Sequence, residues 1–261
     1  MEAYKPLSRS IAGHSAIITG AASGMGRATA HLFASEGAHV AVTDLDQSKC
    51  DAVVAEITAA GYPGRAVAYA LDVMNEDAVK DVVAKVAQGF GGIDIVINNA
   101  GFSIHAMIED DAYPDAWRAS IDGLMTAHTR VIRATMPHLR QSAHPRIVNI
   151  ASTEGLGATP GNSPYVAAKH GVIGLTRGMA VDLGRDGITV NCICPGPIRT
   201  GITARIPEEH KTIFAKRRVP LRRYGDPEEV AHMTLSLVIP AASYLNGAVI
   251  PVDGGMTIKN A

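Results

Sequence analysis

The chain has 261 residues, a hydrophobic content of 47% and a formal net charge of −1, which together favour a single globular domain over residues 1–261. The balanced charge argues against a nucleic acid or a membrane surface as a partner. No apolar run is long enough to cross a bilayer, and the N-terminal residues lack the apolar core of a signal peptide. We therefore expect a cytoplasmic protein.

Three cysteines are present: Cys50, Cys192 and Cys194. Their spacing predicts neither a disulfide framework nor a zinc site, and burial as small hydrophobic residues fits a reducing compartment. The histidines show no metal-ligand spacing either, so no metal ion is expected.

Short apolar runs alternate with helical stretches along the whole chain. The predicted strands are Ser15–Thr19, His39–Thr43, Ala66–Leu71, Ile93–Asn98, Arg146–Ala151, Ile188–Cys194 and Ala248–Val252. The predicted helices begin near Gly24, Asp46, Asn75, Asp115, Ser163 and Pro227. This alternation indicates an α/β fold, a doubly wound parallel sheet covered by helices on both faces. Polar residues at several strand ends should then surround one cleft at the carboxyl edge.

The first strand is followed by a glycine-rich turn, Gly20-Ala-Ala-Ser-Gly24-Met-Gly26, and then by a helix. This order of strand, glycine turn and helix is typical of a dinucleotide pyrophosphate site, because glycines let backbone N–H groups approach the phosphates. A glycine loop alone could also be an ordinary tight turn. Here it opens a chain whose β/α alternation fits a cofactor-binding sheet.

Asp44 ends the second predicted strand and indicates which dinucleotide is bound. A carboxylate there can accept hydrogen bonds from the adenosine ribose hydroxyls and would repel a 2′-phosphate. Leu45 offers no positive charge to such a phosphate, and Arg27 is the one nearby cation. The sequence therefore predicts NAD rather than NADP.

Tyr165 and Lys169 are four residues apart on a predicted helix and share one face. A cation at about 4 Å is worth roughly 4 kcal/mol at an effective dielectric constant of about 20, which should lower the Tyr165 pKa toward neutrality. Tyr165 could then act as a general acid or base, and Ser152 could hold a substrate oxygen. The pair by itself is weak evidence, since Y-x-x-x-K also occurs on solvated helix faces.

Taken together, the motifs resemble those of the short-chain dehydrogenase/reductase family over nearly the whole chain. The matching segments are Thr19–Gly26, Asn98–Gly101, the Ser152/Tyr165/Lys169 set, Asn191 with Pro195-Gly196 and Thr200, Gly225–Ala231 and Val252–Gly255. The resemblance implies a Rossmann-like fold and hydride transfer between a secondary alcohol or ketone and nicotinamide. Tyr165 would move the hydroxyl proton, Ser152 would position the oxygen, and Lys169 would tune Tyr165 and hold the nicotinamide ribose.

The resemblance also implies a set of cofactor contacts that come from strand ends and the loops after them. The expected residues are Gly20, Ser23, Gly24, Met25, Gly26, Asp44, Asp72, Val73, Asn99, Ala100, Gly101, Tyr165, Lys169, Pro195, Gly196, Ile198 and Thr200. Ile198 and Thr200 should reach the nicotinamide amide. Residues 200–224 contain two prolines between the last signatures and should form a flexible helical lid over the substrate.

One position departs from the family. Leu124 stands where the family usually has a catalytic asparagine, and we expect an altered proton relay in which the backbone carbonyl of Leu124 still serves. Asp122 is polar but should point elsewhere. Glu154 could line the substrate pocket or lie on the surface with about equal probability. His105, Met107 and the basic residues of the lid are expected to be packed or solvated.

Three functions remain open from the sequence. An NAD-dependent secondary-alcohol dehydrogenase is the leading one. An NADPH-dependent reductase of the 3-oxoacyl-carrier-protein type is disfavoured by Asp44, and a dinucleotide sensor without catalysis is disfavoured by the retained Tyr165 and Lys169. The resemblance also implies a homotetramer, built on the predicted long helices Asp115–Ser142 and Ser163–Gly184.

Overall fold

The computed structural model describes residues 4–260, so parts of the predicted N-terminal segment and of the predicted 1–261 domain lie outside the described residues. It contains one seven-stranded sheet in which neighbouring strands are parallel. The strands are β1 (Ser15–Thr19), β2 (His39–Asp44), β3 (Ala66–Ala70), β4 (Ile95–Asn98), β5 (Arg146–Ile150), β6 (Thr189–Pro195) and β7 (Val249–Val252). Their order across the sheet is β3-β2-β1-β4-β5-β6-β7, which confirms the predicted fold class.

Helices cover both faces of this sheet. They are α1 (Gly24–Ser35), α2 (Gln47–Ala59), α3 (Glu76–Phe90), α4 (Tyr113–Ile121), α5 (Ala127–Leu139), α6 (Ser163–Leu183), α7 (Gly201–Ala204), α8 (Glu208–Arg218) and α9 (Pro227–Val238). Successive strand residues point to opposite faces, so Ile17 and Ile18 of β1 enter different hydrophobic cores. Phe33 and Leu237 fill one core, and Val131 contributes to the other.

The helix starts follow from local chemistry. Asn75 caps α3, because its side chain accepts hydrogen bonds from the N–H groups of Asp77 and Ala78. At α9, Asp226 and Glu229 form a reciprocal capping box, in which each side chain accepts from the backbone N–H of the other residue. The polar loops that carry these caps alternate with buried strands. This alternation is why the sequence pattern predicted the positions of the strands and helices.

The predicted long helix over Asp115–Ser142 is observed as an unbroken helical run from Tyr113 to Leu139, in which one segment is widened. A π-helical segment, Asp122–Thr126, separates α4 from α5, and the Thr126 hydroxyl donates to the carbonyl of Ile121 at 3.2 Å. Such widened turns occur frequently at functional sites. Here the widened turn contains Leu124, the position at which the sequence departs from the family that it resembles.

The segment 200–224 is helical as predicted, with α7 and α8 separated by a short turn. It is anchored at its end by a bridge between Ile198 and Gly225. Because the carboxyl ends of all seven strands lie along one edge, this segment, the glycine turn after β1 and the residues after β5 share that edge.

Candidate active site

The glycine turn between β1 and α1 has the backbone that a phosphate-binding loop needs. Gly20 and Gly24 have φ angles of +64° and +53°, a region that favours glycine. A Cβ atom on Gly26 would lie 2.5 Å from Nδ2 of Asn99, and closer still to the carbonyl oxygen of Gly20. Glycine at these positions therefore allows the turn to fold tightly over the N-terminus of α1, where backbone N–H groups are free for an anion.

Two residues fix the shape of this turn: Thr19 at the end of β1 and Asn99 after the neighbouring strand β4. The Asn99 amide donates to the carbonyls of Thr19 at 2.9 Å and Gly20 at 3.0 Å. The Thr19 hydroxyl accepts the backbone N–H groups of Asn99 and Ala100, both at 3.0 Å. The Asn99 side chain thus holds the glycine turn.

The Asp44 carboxylate lies beside the glycine turn, as the sequence predicts. One oxygen accepts from the N–H of Ala22 at 3.1 Å and the other from the N–H of Leu45 at 2.8 Å. Leu45 is exposed, and Arg27 is paired with Glu56 at 2.7 Å. Asp44 is therefore held in place, keeps lone pairs for a ribose, and neither Leu45 nor Arg27 provides a free cation beside it.

A single cleft at the carboxyl edge brings together most of the predicted cofactor residues. Of these it is lined by Gly20, Ser23, Gly24, Met25, Asp44, Asp72, Val73, Asn99, Ala100, Gly101 and Thr200. Sequence reasoning missed seven further lining residues, namely Leu45, Leu71, Met74, Phe102, Gly123, Gly201 and Ile202. Most of the seven are neighbours of predicted residues in the same loops. Their position next to a strand end was therefore the sequence signal that could have identified them. Gly123 had no such signal: a Cβ there would lie 2.7 Å from the Phe102 ring.

Six predicted cofactor residues lie outside the lining of this cleft: Gly26, Tyr165, Lys169, Pro195, Gly196 and Ile198. Gly26 packs inside the glycine turn, and Pro195 is buried at the end of β6. A Cβ on Gly196 would lie 2.7 Å from the Cβ of Asp253, so Gly196 packs against the turn after β7. Ile198 is buried and lines a separate cavity with Gly225 and neighbours.

Ser152, Tyr165 and Lys169 meet beside the cleft. Ser152 follows β5 and its hydroxyl accepts from the N–H of Glu154 at 3.1 Å. The Lys169 ammonium donates to the Ile150 carbonyl at 2.8 Å and lies 5.6 Å from the centre of the Tyr165 ring. A Cβ on Gly101, a cleft residue, would lie 3.9 Å from the Lys169 Nζ, so the set adjoins the predicted nicotinamide end of the cleft.

The electrostatics of this set differ from the sequence expectation. Burial raises the pKa of Tyr165 to about 12, the Ser152 side chain lowers it, and the charge of Glu154 raises it. Burial also lowers the pKa of Lys169 to about 8. Burial thus acts in opposite directions on the two pKa values, raising that of the phenol and lowering that of the ammonium. The sequence predicted a Tyr165 pKa lowered toward neutrality, whereas burial raises it in the structure.

Leu124 is fully buried and brings an apolar side chain to the same corner. Its Cδ2 would lie 3.4 Å from a Cβ on Gly101, the glycine that also borders Lys169. Asp122 is paired with Arg130 at 2.6 Å, which agrees with the prediction that its side chain points elsewhere. The Leu124 side chain therefore replaces a polar group with hydrocarbon close to Lys169.

Glu154 lies next to Tyr165 and is held on one side only. One carboxylate oxygen accepts from the Thr159 hydroxyl at 2.7 Å, and the other is buried with no partner among residues 4–260. His105 is exposed and lies against Gly161. Most of the basic residues at the end of α8 and after it are exposed, as expected for a solvated face.

The described residues contain no group of three or more His, Cys, Asp or Glu side chains that could hold a metal ion. In the same range no helix is long and apolar enough to cross a membrane. The three cysteines are buried and carry free thiols. The tight glycine turn at the N-terminus of α1, together with the ribose-ready Asp44, fits a nicotinamide dinucleotide.

A family model described as enoyl-(acyl carrier protein) reductase matches residues 20–257. The chain belongs to the short-chain dehydrogenase/reductase family. As a member of this family it is an oxidoreductase that uses a nicotinamide cofactor and acts on CH–OH or ketone groups. The resemblance read from the sequence motifs is confirmed.

Curated members of the short-chain dehydrogenase/reductase family match this chain over almost its whole length. A 3-oxoacyl-[acyl-carrier-protein] reductase from Thermotoga maritima is 40% identical over 93% of this chain and 97% of its own. A meso-2,3-butanediol dehydrogenase from Serratia marcescens is 39% identical over 94% of each chain.

Among solved structures, the L-sorbose reductase of Gluconobacter frateurii, in complex with NADPH and L-sorbose, has a TM-score of 0.90. It is 29% identical and covers 97% of this chain and 100% of its own. The similarity of these proteins extends across both the cofactor half and the catalytic half of the fold.

Proposed function

We propose that this short-chain dehydrogenase/reductase is an NAD-dependent dehydrogenase that transfers a hydride between a secondary alcohol carbon and nicotinamide. The observation that carries the cofactor choice is the Asp44 carboxylate, fixed by the N–H groups of Ala22 and Leu45 at the place expected for the adenosine ribose. A 2′-phosphate would meet a negative charge there, with no free cation from Leu45 or Arg27 beside it.

The catalytic roles are assigned to three residues. Bound NAD would accept the hydride and would add a positive charge to the site. Tyr165 moves the hydroxyl proton, and Ser152 holds the substrate oxygen through a hydroxyl already oriented by Glu154. Lys169 is fixed by Ile150 and holds the nicotinamide ribose.

The other cofactor contacts and the lid remain part of this proposal. The residues that line the cleft contact the dinucleotide directly, whereas Gly26, Pro195, Gly196 and Ile198 shape its walls. The helices α7 and α8 close over the substrate, since Thr200 and Ile202 of this segment already border the cleft.

A second candidate is an NADPH-dependent reductase of the 3-oxoacyl-carrier-protein type, favoured by the 40% identity to the Thermotoga maritima enzyme. A non-catalytic sensor is a third, favoured by Leu124. Asp44 weighs against the second, and the assembled Ser152, Tyr165 and Lys169 weigh against the third.

Turnover assays separate the three candidates. The purified protein is assayed with NAD and a panel of secondary alcohols, and with NADPH and 3-oxoacyl thioesters. We expect oxidation with NAD, and Tyr165→Phe should abolish turnover while NAD binding, measured by fluorescence, stays within about threefold. Reduction with NADPH alone would favour the second candidate, and NAD binding without any turnover would favour the sensor.

We also propose that the protein is a cytoplasmic homotetramer whose ligands are small molecules. Trp117 of α4 and Val181 of α6 are large apolar residues left exposed in one chain, with Val181 82% exposed. Contacts that α4 and α6 make with their copies in other subunits would bury them. Light scattering at micromolar concentration should give a tetramer, and a monomer would refute this assembly.

A further inference from the structure

The C-terminal end of the lid carries a patch of positive charge. Lys216, Arg217 and Arg218 form the last turn of α8, Arg222 follows them, and all four side chains are exposed. The Lys259 ammonium joins them from the C-terminal tail, where it donates to the carbonyl of Arg217 at 2.5 Å. Five cations thus gather at one place in a protein whose formal net charge is −1. Such a patch raises the local concentration of anions.

Neighbouring carboxylates do not neutralise this patch. Glu208 pairs with Lys211 at 2.6 Å, and Glu229 accepts two bonds from Arg223 at 2.6 Å each. Among residues 4–260, none of the five patch side chains has an ion-pair partner of its own. The helix macrodipole favours cations in the last turn of α8, but it does not account for those beyond the helix. The positive charge is therefore available to a ligand.

An aromatic ring and an aliphatic side chain lie beside these cations. Ile213 is 49% exposed and Phe214 is 41% exposed, and the Phe214 ring lies edge-on to the Tyr224 ring at 6.1 Å between centres. Residues three and four apart share one face of a helix, and the outer face of α8 forms a shallow groove of about 360 Å³. The groove is lined by His210, Ile213, Phe214, Arg217 and Arg218.

The dimensions of this groove indicate the class of ligand. The eleven residues of α8 span roughly 16 Å, whereas a stable protein interface buries about 800 Å² on each partner. One face of α8 is too small for that, but its volume suits a small molecule. Guanidinium groups bind phosphates, and an exposed aromatic ring stacks on a nucleobase. The chemistry of the groove therefore fits a phosphorylated nucleotide.

The position of the groove connects this nucleotide to the substrate. The helix α8 begins at Glu208, shortly after α7, whose Gly201 and Ile202 line the cofactor cleft. The cleft accounts for the adenosine of the dinucleotide, so a further nucleotide on the lid belongs to the substrate. Coenzyme A is a group carrier of this form, with a phosphorylated adenosine at one end and an acyl thioester at the other end of a flexible arm.

We propose that the groove on α8 binds the phosphorylated adenosine of coenzyme A, and that the substrate is a hydroxyacyl thioester of this carrier. Arg217 and Arg218 bind its phosphates, and its adenine stacks on Phe214. The inference rests on the proposed function. In that reaction the carbinol carbon gives its hydride to NAD and the hydroxyl gives its proton to Tyr165, which leaves an oxoacyl thioester and NADH.

The first test measures binding and needs no turnover. Coenzyme A is titrated calorimetrically into protein saturated with NAD, which keeps the probe out of the cofactor cleft. Wild type should bind coenzyme A about tenfold more tightly than dephospho-coenzyme A, which lacks the 3′-phosphate. Phe214→Ala and the double variant Arg217→Ala, Arg218→Ala should each weaken binding of coenzyme A by at least about tenfold. No binding to wild type, or an unchanged affinity in the double variant, would overturn the proposal.

A matched double variant, Lys80→Ala with Lys85→Ala, controls for the loss of charge. Both lysines lie on α3 with side chains 59% and 54% exposed, so the control loses two positive charges from the surface of another helix. Thermal unfolding establishes that each variant folds. The control should bind coenzyme A as wild type does. An equal loss of affinity in both double variants would show that net charge alone acts, and it would reject the site.

The second test compares two thioesters of the same 3-hydroxyacyl group, one with coenzyme A and one with N-acetylcysteamine, which has no nucleotide. Wild type should prefer the coenzyme A ester by at least about tenfold in kcat/KM, mainly through a lower KM, and the arginine double variant should lose this preference. Equal use of both esters by wild type would contradict the proposal. A stronger preference for the same acyl group on an acidic carrier protein would assign the groove to a protein partner and would also reject it.

The proposed function and this inference fail in different ways. If wild type oxidises secondary alcohols but does not bind coenzyme A, the dehydrogenase function stands and the carrier site is rejected. If wild type oxidises no alcohol, the proposed function fails, whereas the calorimetric titrations of wild type and the arginine double variant still decide whether α8 binds the carrier.

Discussion

At the scale of single residues, the proposed preference for NAD rests on the Asp44 carboxylate. Two backbone N–H groups fix its oxygens, and the adjacent Leu45 side chain is exposed. A ligand phosphate would meet this charge at short range, and a like-charge contact of this kind is how a site rejects the wrong ligand.

The first prediction follows from that contact. Wild type should prefer NAD over NADP in kcat/KM by at least about a hundredfold, or roughly 2.7 kcal/mol. Asp44→Ala should reduce this preference, because it removes the repulsion and the ribose hydrogen bonds together. Adding Leu45→Arg should move the preference toward NADP by supplying a phosphate partner. Equal use of both cofactors by the wild type would contradict the assigned position of Asp44.

Glu154 provides a second residue-scale prediction. Its negative charge raises the pKa of Tyr165, so Glu154→Gln should lower that pKa. Alcohol oxidation requires the deprotonated phenol, and the rising limb of its pH profile should therefore move to lower pH. Thr159→Val removes the hydrogen bond to Glu154 but keeps the charge, and it should leave the limb in place. A shift of the same size in both variants would show that loop geometry, and not charge, acts on Tyr165.

Some residue roles were within reach of the sequence and some were not. Asp44 and Asn99 follow buried strands, and their positions at the carboxyl edge follow from alternation alone. The Lys169 pKa could not be predicted, because four-residue spacing shows that two side chains are close and not how deeply they are buried. The sequence also could not show that both ring nitrogens of His128 are buried without a hydrogen-bond partner among residues 4–260, since this depends on the three-dimensional packing.

At the scale of elements, the sequence predicted the glycine turn but not the π segment. Gly26 packs against Gly20 and Asn99 with no room for a side chain. The alternation of apolar runs predicted all seven strands, because parallel strands buried on both faces are nearly continuously hydrophobic. The π segment escaped prediction, since its sequence from Asp122 to Thr126 fits an ordinary helix.

Alanine substitutions at two glycines test whether the glycine turn has room for a side chain. Gly26→Ala should weaken NAD binding by at least about tenfold and lower stability by about 1–3 kcal/mol, because the new methyl group displaces the turn. Gly89→Ala is the control, since a Cβ at this exposed α3 position meets nothing within 4 Å. It should stabilise the protein by up to about 1 kcal/mol. Calorimetry and ligand titration measure both effects, and wild-type binding by Gly26→Ala would contradict the packing described here.

For the whole molecule, the buried His128 makes stability depend on pH. Burial lowers its pKa from 6.5 to about 3. Between these two pH values the unfolded chain binds a proton at His128 and the folded chain does not. Stability from this residue is therefore present above pH 6.5 and is lost as the pH falls toward 3. Wild type should lose roughly 2 kcal/mol from this group at pH 5, and His128→Leu should not. Denaturant unfolding at pH 7.5 and pH 5 checks this, and equal losses in both proteins would contradict it.

The bonds from Asn99 to Thr19 and Gly20 span about eighty residues of chain. During synthesis on the ribosome, the glycine turn emerges long before the asparagine that holds it, and Ser152, Tyr165 and Lys169 emerge later still. A nascent chain that ends before β4 carries the glycine motif without its rigid shape. We therefore expect a chain that ends before β4 to bind the dinucleotide more weakly than the full chain does.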